Sequence, residues 1–269
     1  MTKFKTHTTP APNFARHGFA QDDAGSSGKA PLVSVVAPVR NEAGGIVALI
    51  QEIREALDLE ETEIIVVDDG STDDTADLLV AERQNTQNLR VLRHRSNAGQ
   101  SRAIRTGVLA ASAPIIATID GDGQNDPADI GGLVTALRRD NAPPLLSMVA
   151  GERVRRCDVA AKRWASKLAN GLRSRLLHDG ARDTGCGLKV FYREAYLRLP
   201  YFDHMHRYLP ALMGREGYLI EFMPVNHRPR LHGASKYTNL GRAGVAFRDL
   251  LGVLWLNNRA RSPIDISEL

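Results

Sequence analysis

The stretch IDGDGQNDP, residues 119–127, places acidic side chains directly after an apolar segment. Asp120 and Asp122 are one residue apart, and Gln124 repeats the spacing. Alternate oxygen ligands suit one hard divalent cation, although Asp-Gly pairs also occur in ordinary turns. The EF-hand pattern is excluded, because its required Gly and Glu are missing at the sixth and twelfth positions from Asp120. The remaining metal hypothesis is Mg²⁺ or Mn²⁺, bound jointly by these side chains and by substrate phosphates.

The elements that must position these residues alternate between strand and helix in the first half of the chain. Strands are predicted at 32–38, 63–68, 89–93, 114–120 and 145–150, and helices near 44–57, 73–85, 99–111 and 127–140. This alternation predicts an α/β fold with a mostly parallel sheet covered by helices on both faces. Ligands of such sheets bind beyond the carboxyl ends of the strands. The polar residues that follow the first, second and fourth strands should therefore share one rim.

Three polar segments occupy that rim, and each has a structural alternative. PVRNE (38–42), DDGSTDDT (68–75) and DGDGQ (120–124) follow the first, second and fourth strands. Asp73 and Asp74 are expected to cap the next helix, a role that does not account for Asp68 and Asp69. SNAGQSRA (96–103) opens a helix, so the loop at Gly99 is either a phosphate-facing helix start or an ordinary left-handed turn.

Composition and charge narrow the class of partner. The chain has 269 residues, 43% of them hydrophobic, and a net charge of +4. Residues 1–150 carry −6 and residues 151–269 carry +10, so the second half should meet phosphates or an anionic membrane surface. Nucleic acid is not expected, because no recognition-helix, zinc-finger or aromatic RNA-binding pattern occurs. Cys157 and Cys186 lack metal-type neighbours and indicate a reduced, cytoplasmic compartment.

Taken together, the motifs PVRNE, VVDDGSTDDT, NAGQSRAIRTG and DGDGQNDP resemble those of family 2 glycosyltransferases with a GT-A fold. RDTGCGLKVF (182–191), HRYLPAL (206–212) and RPRLHGASKY (228–237) resemble the polyprenyl-phosphate branch of that family, which includes dolichol-phosphate mannose synthase. The resemblance covers residues 31–257. It implies a nucleotide-sugar donor, UDP- or GDP-linked, and a polyprenyl phosphate acceptor.

The resemblance also implies roles for individual residues. Donor binding would fall to Pro38, Arg40, Glu42, Asp68, Asp69, Gly99, Asp120, Lys189 and Ser235, and the metal to Asp120, Asp122 and Gln124. Catalysis would rest on Asp122, Asp183, Arg230 and Lys236. Arg230, Ser235 and Lys236 would form a basic loop that closes over the phosphates, and a solvated basic turn is the alternative. Asp183 would position the acceptor rather than remove a proton.

Two departures from the family pattern bear on these roles. Arg40 stands where the family usually has an aromatic residue for base stacking. GCGLK (185–189) replaces the common TSGFR, so that Lys189 meets a phosphate as a point charge without the two-point geometry of arginine.

Contact with a membrane lipid requires an apolar surface, and two segments qualify. Residues 159–177 place Trp164, Leu168, Leu172 and Leu176 on one helical stripe, beside the cations Lys162, Arg163, Lys167, Arg173 and Arg175. This pattern is typical of an interfacial helix, and an ordinary core-facing helix is the alternative. Residues 243–256 are the second candidate, for lipid or for a separate integral-membrane protein. No run of about 18 apolar residues predicts a spanning helix.

The predicted organisation is a disordered tail at 1–30, a catalytic domain at 31–240 and a C-terminal amphipathic helix and tail at 241–269. The donor half of the catalytic domain would be 31–150 and the acceptor half 151–240. The enzyme would work in the cytoplasm, peripherally on the inner face of the cell membrane. Alternatives are a transferase with a soluble or polysaccharide acceptor, a silent nucleotide-sugar-binding subunit of a membrane protein, and a nucleotidyltransferase.

Overall fold

A computed structural model describes residues 30–153, 173–181, 183–229 and 239–260. The predicted N-terminal tail therefore lies almost wholly outside the described residues. The first half follows the predicted alternation, with β1 (Val33–Val39), α1 (Ile46–Ala56), β2 (Thr62–Asp68), α2 (Thr75–Asn85), β3 (Leu89–Arg93), α3 (Gln100–Ala110), β4 (Ile115–Thr118), α4 (Asp129–Arg138) and β5 (Leu146–Arg153). β1, β2 and β4 are buried along their whole length because helices cover both faces of the sheet, whereas the edge strand β3 is partly exposed.

The second half contains short elements that periodicity did not predict, namely β6 (Lys189–Tyr192), α5 (Arg193–Leu197), a 3₁₀ turn η1 (Met205–Arg207), α6 (Leu209–Arg215) and β7 (Leu219–Val225). It ends in a long helix, α7 (Asn239–Arg259), which contains the predicted amphipathic segment 243–256. Residues 173–177 are also helical. Four-residue and five-residue elements carry too few apolar positions for a period to be read.

All seven strands described form one sheet in the order β3-β2-β1-β4-β6-β5-β7. β1 pairs in parallel with β2 and β4, β2 with β3, and β5 with β7. β6 is antiparallel to both of its neighbours, β4 and β5. The predicted mostly parallel α/β fold is confirmed. The start of β6 consequently lies at the same rim as the carboxyl ends of the other strands.

The two faces of the sheet carry separate hydrophobic clusters. Successive residues of β1 point to opposite faces, so Val35 belongs to one cluster and Val36 to the other. One cluster includes residues of α1 and α4, and the other includes residues of α3, α5 and α6. A Cβ on Gly107 would lie 2.4 Å from Val36 Cγ1, which explains how α3 approaches the sheet so closely.

Only the end of the predicted interfacial helix at 159–177 lies within the described residues. Leu176 is exposed, but Leu177 packs in the second cluster. Arg173, which was expected to face lipid headgroups, is buried, and its Nη2 lies 2.8 Å from Asp179 Oδ2. That expectation is wrong for Arg173, because its charge is paired inside the protein. Among the described helices, none combines the length and apolarity needed to cross a bilayer.

Candidate functional site

A cleft of about 390 Å³ opens at the rim of the sheet. Its lining comes from α3, from the end of β4 and the loop after it, from the end of β5, from the start of β6 with the segment before it, and from the segments after α5 and β7. The residues are Gln100, Ile104, Thr118, Asp120, Asp122, Gln124, Asn125, Arg153, Thr184, Gly185, Cys186, Gly187, Lys189, His206, Arg207, Leu209 and His227. The sheet thus brings together four of the predicted site residues, Asp120, Asp122, Gln124 and Lys189.

Asp120 is partly buried at the base of this cleft and is held from two sides. Gln100 Nε2 donates a hydrogen bond of 2.8 Å to Asp120 Oδ1. A Cβ on Gly187 would lie 2.2 Å from the Asp120 carboxyl carbon, so only glycine leaves room for the carboxylate there. Burial, followed by repulsion from Asp122, raises the pKa of Asp120 to about 6. Sequence reasoning missed Gln100 and Gly187, because their roles depend on tertiary proximity.

Asp122 and Gln124 complete an oxygen-rich corner of the cleft. Gln124 N donates to Asp122 Oδ1 at 3.2 Å, which folds the loop so that both side chains line the cleft. The described residues contain no cluster of three Asp, Glu, His or Cys side chains suited to a metal. Two carboxylates and an amide nevertheless fit a Mg²⁺ or Mn²⁺ that takes further ligands from water and substrate phosphates. The repulsion that raises the pKa of Asp120 is the feature a cation would relieve.

Arg153 is a cation of the cleft that sequence reasoning missed. It ends β5, and its guanidinium donates to both oxygens of Asp183, with Nε–Oδ2 2.6 Å and Nη2–Oδ1 2.8 Å. Asp183 also accepts a 3.2 Å bond from Gly185 N. Asp183 does not line the cleft itself, and its carboxylate is buried. Arg153 is therefore the member of the pair that lines the cleft, and the positioning role of Asp183 stays a prediction.

Lys189 starts β6 and lines the cleft while being almost fully buried. Its Nζ donates to the carbonyl oxygen of Cys186, and burial lowers the pKa of the ammonium group. Attraction to Asp120 opposes that shift. Lys189 therefore lies near the oxygen-rich corner formed by Asp120, Asp122 and Gln124, as a phosphate-binding role requires.

His206 adds a neutral polar group to the opposite wall. Its Nδ1 lies 2.7 Å from Ser101 Oγ, and its pKa is well below the ordinary value, chiefly through burial. The hydroxyl also accepts a bond from His206 N at 3.2 Å, which leaves its proton available for Nδ1. His206 thus contributes a hydrogen-bonding ring without positive charge, whereas its neighbour Arg207 supplies a cation to the cleft.

Asp68 ends β2 and Asp69 follows it, at the predicted rim, but their carboxylates bind the protein itself. Asp68 Oδ1 accepts from Ser71 N at 2.9 Å, and its Oδ2 lies 3.1 Å from Arg93 Nε. Asp69 accepts bonds from the backbone amides of residues 98 and 99, at 2.8 and 2.9 Å, and contacts His94. These bonds hold the loop before α3. Nucleoside binding by the two aspartates stays a prediction.

Pro38, Arg40, Glu42 and Gly99 lie outside the cleft lining. Pro38 is paired with Val67 inside the sheet, and Glu42 N donates to Thr75 Oγ1 at 2.9 Å. Gly99 lies directly before α3 with φ +92° and ψ 155°, a positive φ that favours glycine but lies outside the left-handed helical region. Their donor-binding roles stay predictions.

The predicted basic loop is only partly described. Arg230, Ser235 and Lys236 lie outside the described residues. Arg228, which precedes them, is held by Glu52 Oε2 at 2.5 Å and Asp126 Oδ1 at 2.8 Å. Arg228 N also donates to Gln124 O at 2.9 Å. The base of the loop is therefore fastened beside Gln124.

Comparisons with known proteins identify the family of the chain. The model of glycosyl transferase family 2 matches residues 34–199. Dodecaprenyl-phosphate galacturonate synthase of Rhizobium johnstonii is 34% identical over 240 residues, covering 86% of this chain and 69% of that protein. Undecaprenyl-phosphate 4-deoxy-4-formamido-L-arabinose transferase of Edwardsiella ictaluri is 34% identical over 210 residues, covering 77% of this chain and 63% of that protein.

Among solved structures, glucosyl-3-phosphoglycerate synthase of Mycobacterium tuberculosis, crystallised with Mn²⁺ and UDP, has a TM-score of 0.64 at 20% identity. The match covers 86% of this chain and 81% of that one. It confirms the predicted GT-A fold, and the curated relatives confirm the resemblance to the polyprenyl-phosphate branch. The chain belongs to glycosyl transferase family 2.

Proposed function

We propose that this protein is a metal-dependent inverting glycosyltransferase that moves a sugar from a UDP- or GDP-sugar to a polyprenyl phosphate. It would act peripherally on the cytoplasmic face of the membrane. The observation that carries the proposal is the convergence of Asp120 and Asp122 with Arg153 and Lys189 in one cleft. The two carboxylates suit a divalent cation, and the two basic side chains suit phosphate groups. The names of the two curated relatives support the lipid acceptor.

The donor would be bound at the acidic corner of the cleft. Asp120, Asp122 and Gln124 would hold Mg²⁺ or Mn²⁺, and the metal would neutralise charge on the departing nucleoside diphosphate. Gln100 and Gly187 keep the Asp120 carboxylate in place for that task. Arg230 and Lys236 of the basic loop would add positive charge where the leaving group develops its own.

The acceptor phosphate would be bound by the cations that line the same cleft. Arg153 is oriented by Asp183, and Lys189 and Arg207 line the same space. A phosphate monoester with a second pKa near 6 is substantially ionised at neutral pH, so its oxygen can attack the anomeric carbon without a strong base. One carbon–oxygen bond forms to the acceptor phosphate as the bond to the diphosphate breaks. A single displacement of this kind inverts the anomeric centre.

The test is transfer by the purified chain. Protein, Mg²⁺ or Mn²⁺ and undecaprenyl phosphate in detergent are incubated with a panel of UDP- and GDP-sugars, and the lipid fraction is extracted. We expect one donor to label the lipid, and the variant Asp122→Asn to abolish the label. Sugar transfer solely to water-soluble acceptors, such as phosphoglyceric acid, would overturn the lipid assignment and leave glycosyl transfer standing.

A further inference from the structure

The C-terminal helix α7 is fixed to the body of the protein by one face. Leu250, Val253 and Leu254 pack in the second hydrophobic cluster. Tyr208 Oη donates to the carbonyl of residue 246 at 3.1 Å, and Arg215 Nε donates to the carbonyl of residue 256 at 3.1 Å. These contacts hold α7 in one orientation, so its opposite face is a defined surface of the protein.

That opposite face is apolar. Phe247, Leu251 and Trp255 are 61%, 50% and 60% exposed. They are spaced four residues apart, which places them within about 80° of one another on the helix and along about 12 Å of its axis. Apolar side chains in such a row are unusual on a protein surface that meets only water. Phe247, Leu251 and Trp255 are named the α7 stripe.

The charges beside the α7 stripe are positive. Arg248 and Arg259 are exposed on one flank, and the Arg259 guanidinium lies 5.8 Å from the centre of the Trp255 ring. Positions 244–260 contain one acidic residue, Asp249. It lies on the other side of the helix, with its Oδ2 3.1 Å from His204 Nδ1. Aromatic and aliphatic groups flanked by arginine, with no carboxylate on the same face, complement an anionic lipid surface.

The position of α7 relative to the cleft supports a lipid rather than a protein partner. His204 and Tyr208 bind α7, and the residues between and beside them, His206, Arg207 and Leu209, line the cleft. The α7 stripe faces away from that wall, so a bilayer that contacts the stripe would lie about one helix diameter, roughly 10 Å, beyond the wall that carries Arg207. An acceptor phosphate held in that bilayer would start close to the cations of the cleft.

We infer that the α7 stripe inserts into the interface of an anionic bilayer and brings the cleft to its lipid acceptor. The inference rests on the proposed function for its purpose, but vesicle binding can be measured without any sugar transfer. Insertion of three large apolar side chains, with two arginines among the headgroups, should give salt-sensitive and reversible binding.

The first experiment measures cosedimentation of the full chain with phosphatidylcholine vesicles that contain phosphatidylglycerol. Phe247→Gln/Leu251→Gln/Trp255→Gln should weaken binding by roughly tenfold or more, since the apolar contribution to interfacial binding scales with buried area. Glutamine keeps the helix propensity near that of leucine, so the melting temperature should not fall. Val80→Gln/Leu109→Gln is the matched control, because these residues are 59% and 52% exposed on α2 and α3. Control binding should equal that of the parent protein.

The second experiment uses Trp255 as a reporter. The chain has two tryptophans, Trp164 and Trp255, so Trp164→Phe leaves Trp255 as the sole indole. Brominated lipids should quench its fluorescence, and the emission maximum should move to shorter wavelength. Absence of quenching, or equal binding by the stripe variant and the control, would overturn the inference. The inference would also fail if the parent protein is a dimer, the stripe variant is a monomer, and both bind vesicles equally. The α7 stripe would then be a contact between two copies of the chain.

Transfer in detergent separates this inference from the proposed function. A stripe variant that keeps transfer in detergent but loses it with acceptor in vesicles supports both. Normal vesicle binding by the parent protein, without transfer under either condition, would sink the proposed function and leave the stripe assignment intact.

Discussion

Arg153 and Asp183 form a two-point ion pair at the rim of the sheet, with Nε–Oδ2 2.6 Å and Nη2–Oδ1 2.8 Å. Both side chains are largely shielded from water, at 15% and 5% exposure. A carboxylate engaged by both arms of a guanidinium is poorly suited to take up a proton. The pair instead fixes the direction in which Arg153 meets the cleft.

Replacing Asp183 by Asn should therefore impair orientation rather than proton transfer. We expect turnover to fall by roughly tenfold to a hundredfold, because a misplaced phosphate ligand loses near-attack geometry. Breaking one partner of a shielded pair should also cost about 3 kcal/mol in the free energy of unfolding. Kinetics and denaturant melts check both effects. The pH profile of the residual activity should keep its acid limb; loss of that limb would show that Asp183 is a general base after all.

Metal binding should depend on pH through Asp120. Its pKa is raised to about 6 from an ordinary value of 3.8, chiefly by burial and then by Asp122. Below pH 6 a proton must leave before a cation binds, so affinity for Mn²⁺ should fall by about tenfold per pH unit there. Calorimetric titration between pH 5 and 7.5 measures it. A flat affinity over that range would contradict the assignment of Asp120 as a ligand.

The raised pKa of Asp120 should also make the stability of the metal-free protein depend on pH. Because the folded protein binds this proton more tightly than the unfolded chain, Asp120 favours folding more as pH falls from about 6 towards 3.8. Asp120→Asn should remove that dependence from the melting curves. With saturating Mn²⁺ the parent protein should instead become less stable as pH falls, since the cation stabilises the ionised Asp120 carboxylate. A variant with the parent's pH dependence would show that another group is responsible.

Gly187→Ala tests the space around the metal corner. The added Cβ would lie 2.2 Å from the Asp120 carboxyl carbon, so the carboxylate must move. We expect weaker Mn²⁺ binding and at least about a tenfold loss of turnover, as misplacement of a reactive group by an ångström costs that much or more. Gly131→Ala on α4 is the control, because nothing lies within 4 Å of its added Cβ. Equal Mn²⁺ affinity in the two variants would contradict the geometry.

Asp69→Asn separates a structural role from donor binding. The amides of residues 98 and 99 donate to different oxygens of Asp69, and asparagine replaces one of those oxygens with an NH₂ group that cannot accept a hydrogen bond. We expect the free energy of unfolding to fall by about 1 kcal/mol, as for the loss of one partly buried hydrogen bond. Nucleotide titration at a temperature where the variant is folded then measures donor binding. Unchanged stability with lost nucleotide binding would mean that Asp69 acts on the donor directly.

The fold of the first half was predictable because each strand from β1 to β5 is an apolar run followed by a helical period. The rim location of Asp120 followed from the parallel direction of β1, β2 and β4. β6 escaped prediction, since KVFY is too short to show a period, and with it the antiparallel pairing that brings Lys189 to the rim.

The site was predictable where a motif carried it and not where distant segments meet. Arg153 is a single arginine at a strand end, and its partner Asp183 is 30 residues away. One signal was available, because the run 145–150 was recognised as a strand and its continuation ends in Arg153 at the same rim. Gln100 has no such signal: its bond to Asp120 depends on how α3 packs on the sheet.

The most direct test of sugar transfer to a polyprenyl phosphate is the mass of the lipid product. Undecaprenyl phosphate is incubated with the active nucleotide sugar, Mg²⁺ and the full chain, and the organic phase is analysed by mass spectrometry. We expect undecaprenyl phosphate plus one glycosyl residue, with a single phosphorus, and release of the nucleoside diphosphate. A lipid with a second phosphate and release of the nucleoside monophosphate would contradict it, because the chain would then transfer a sugar phosphate.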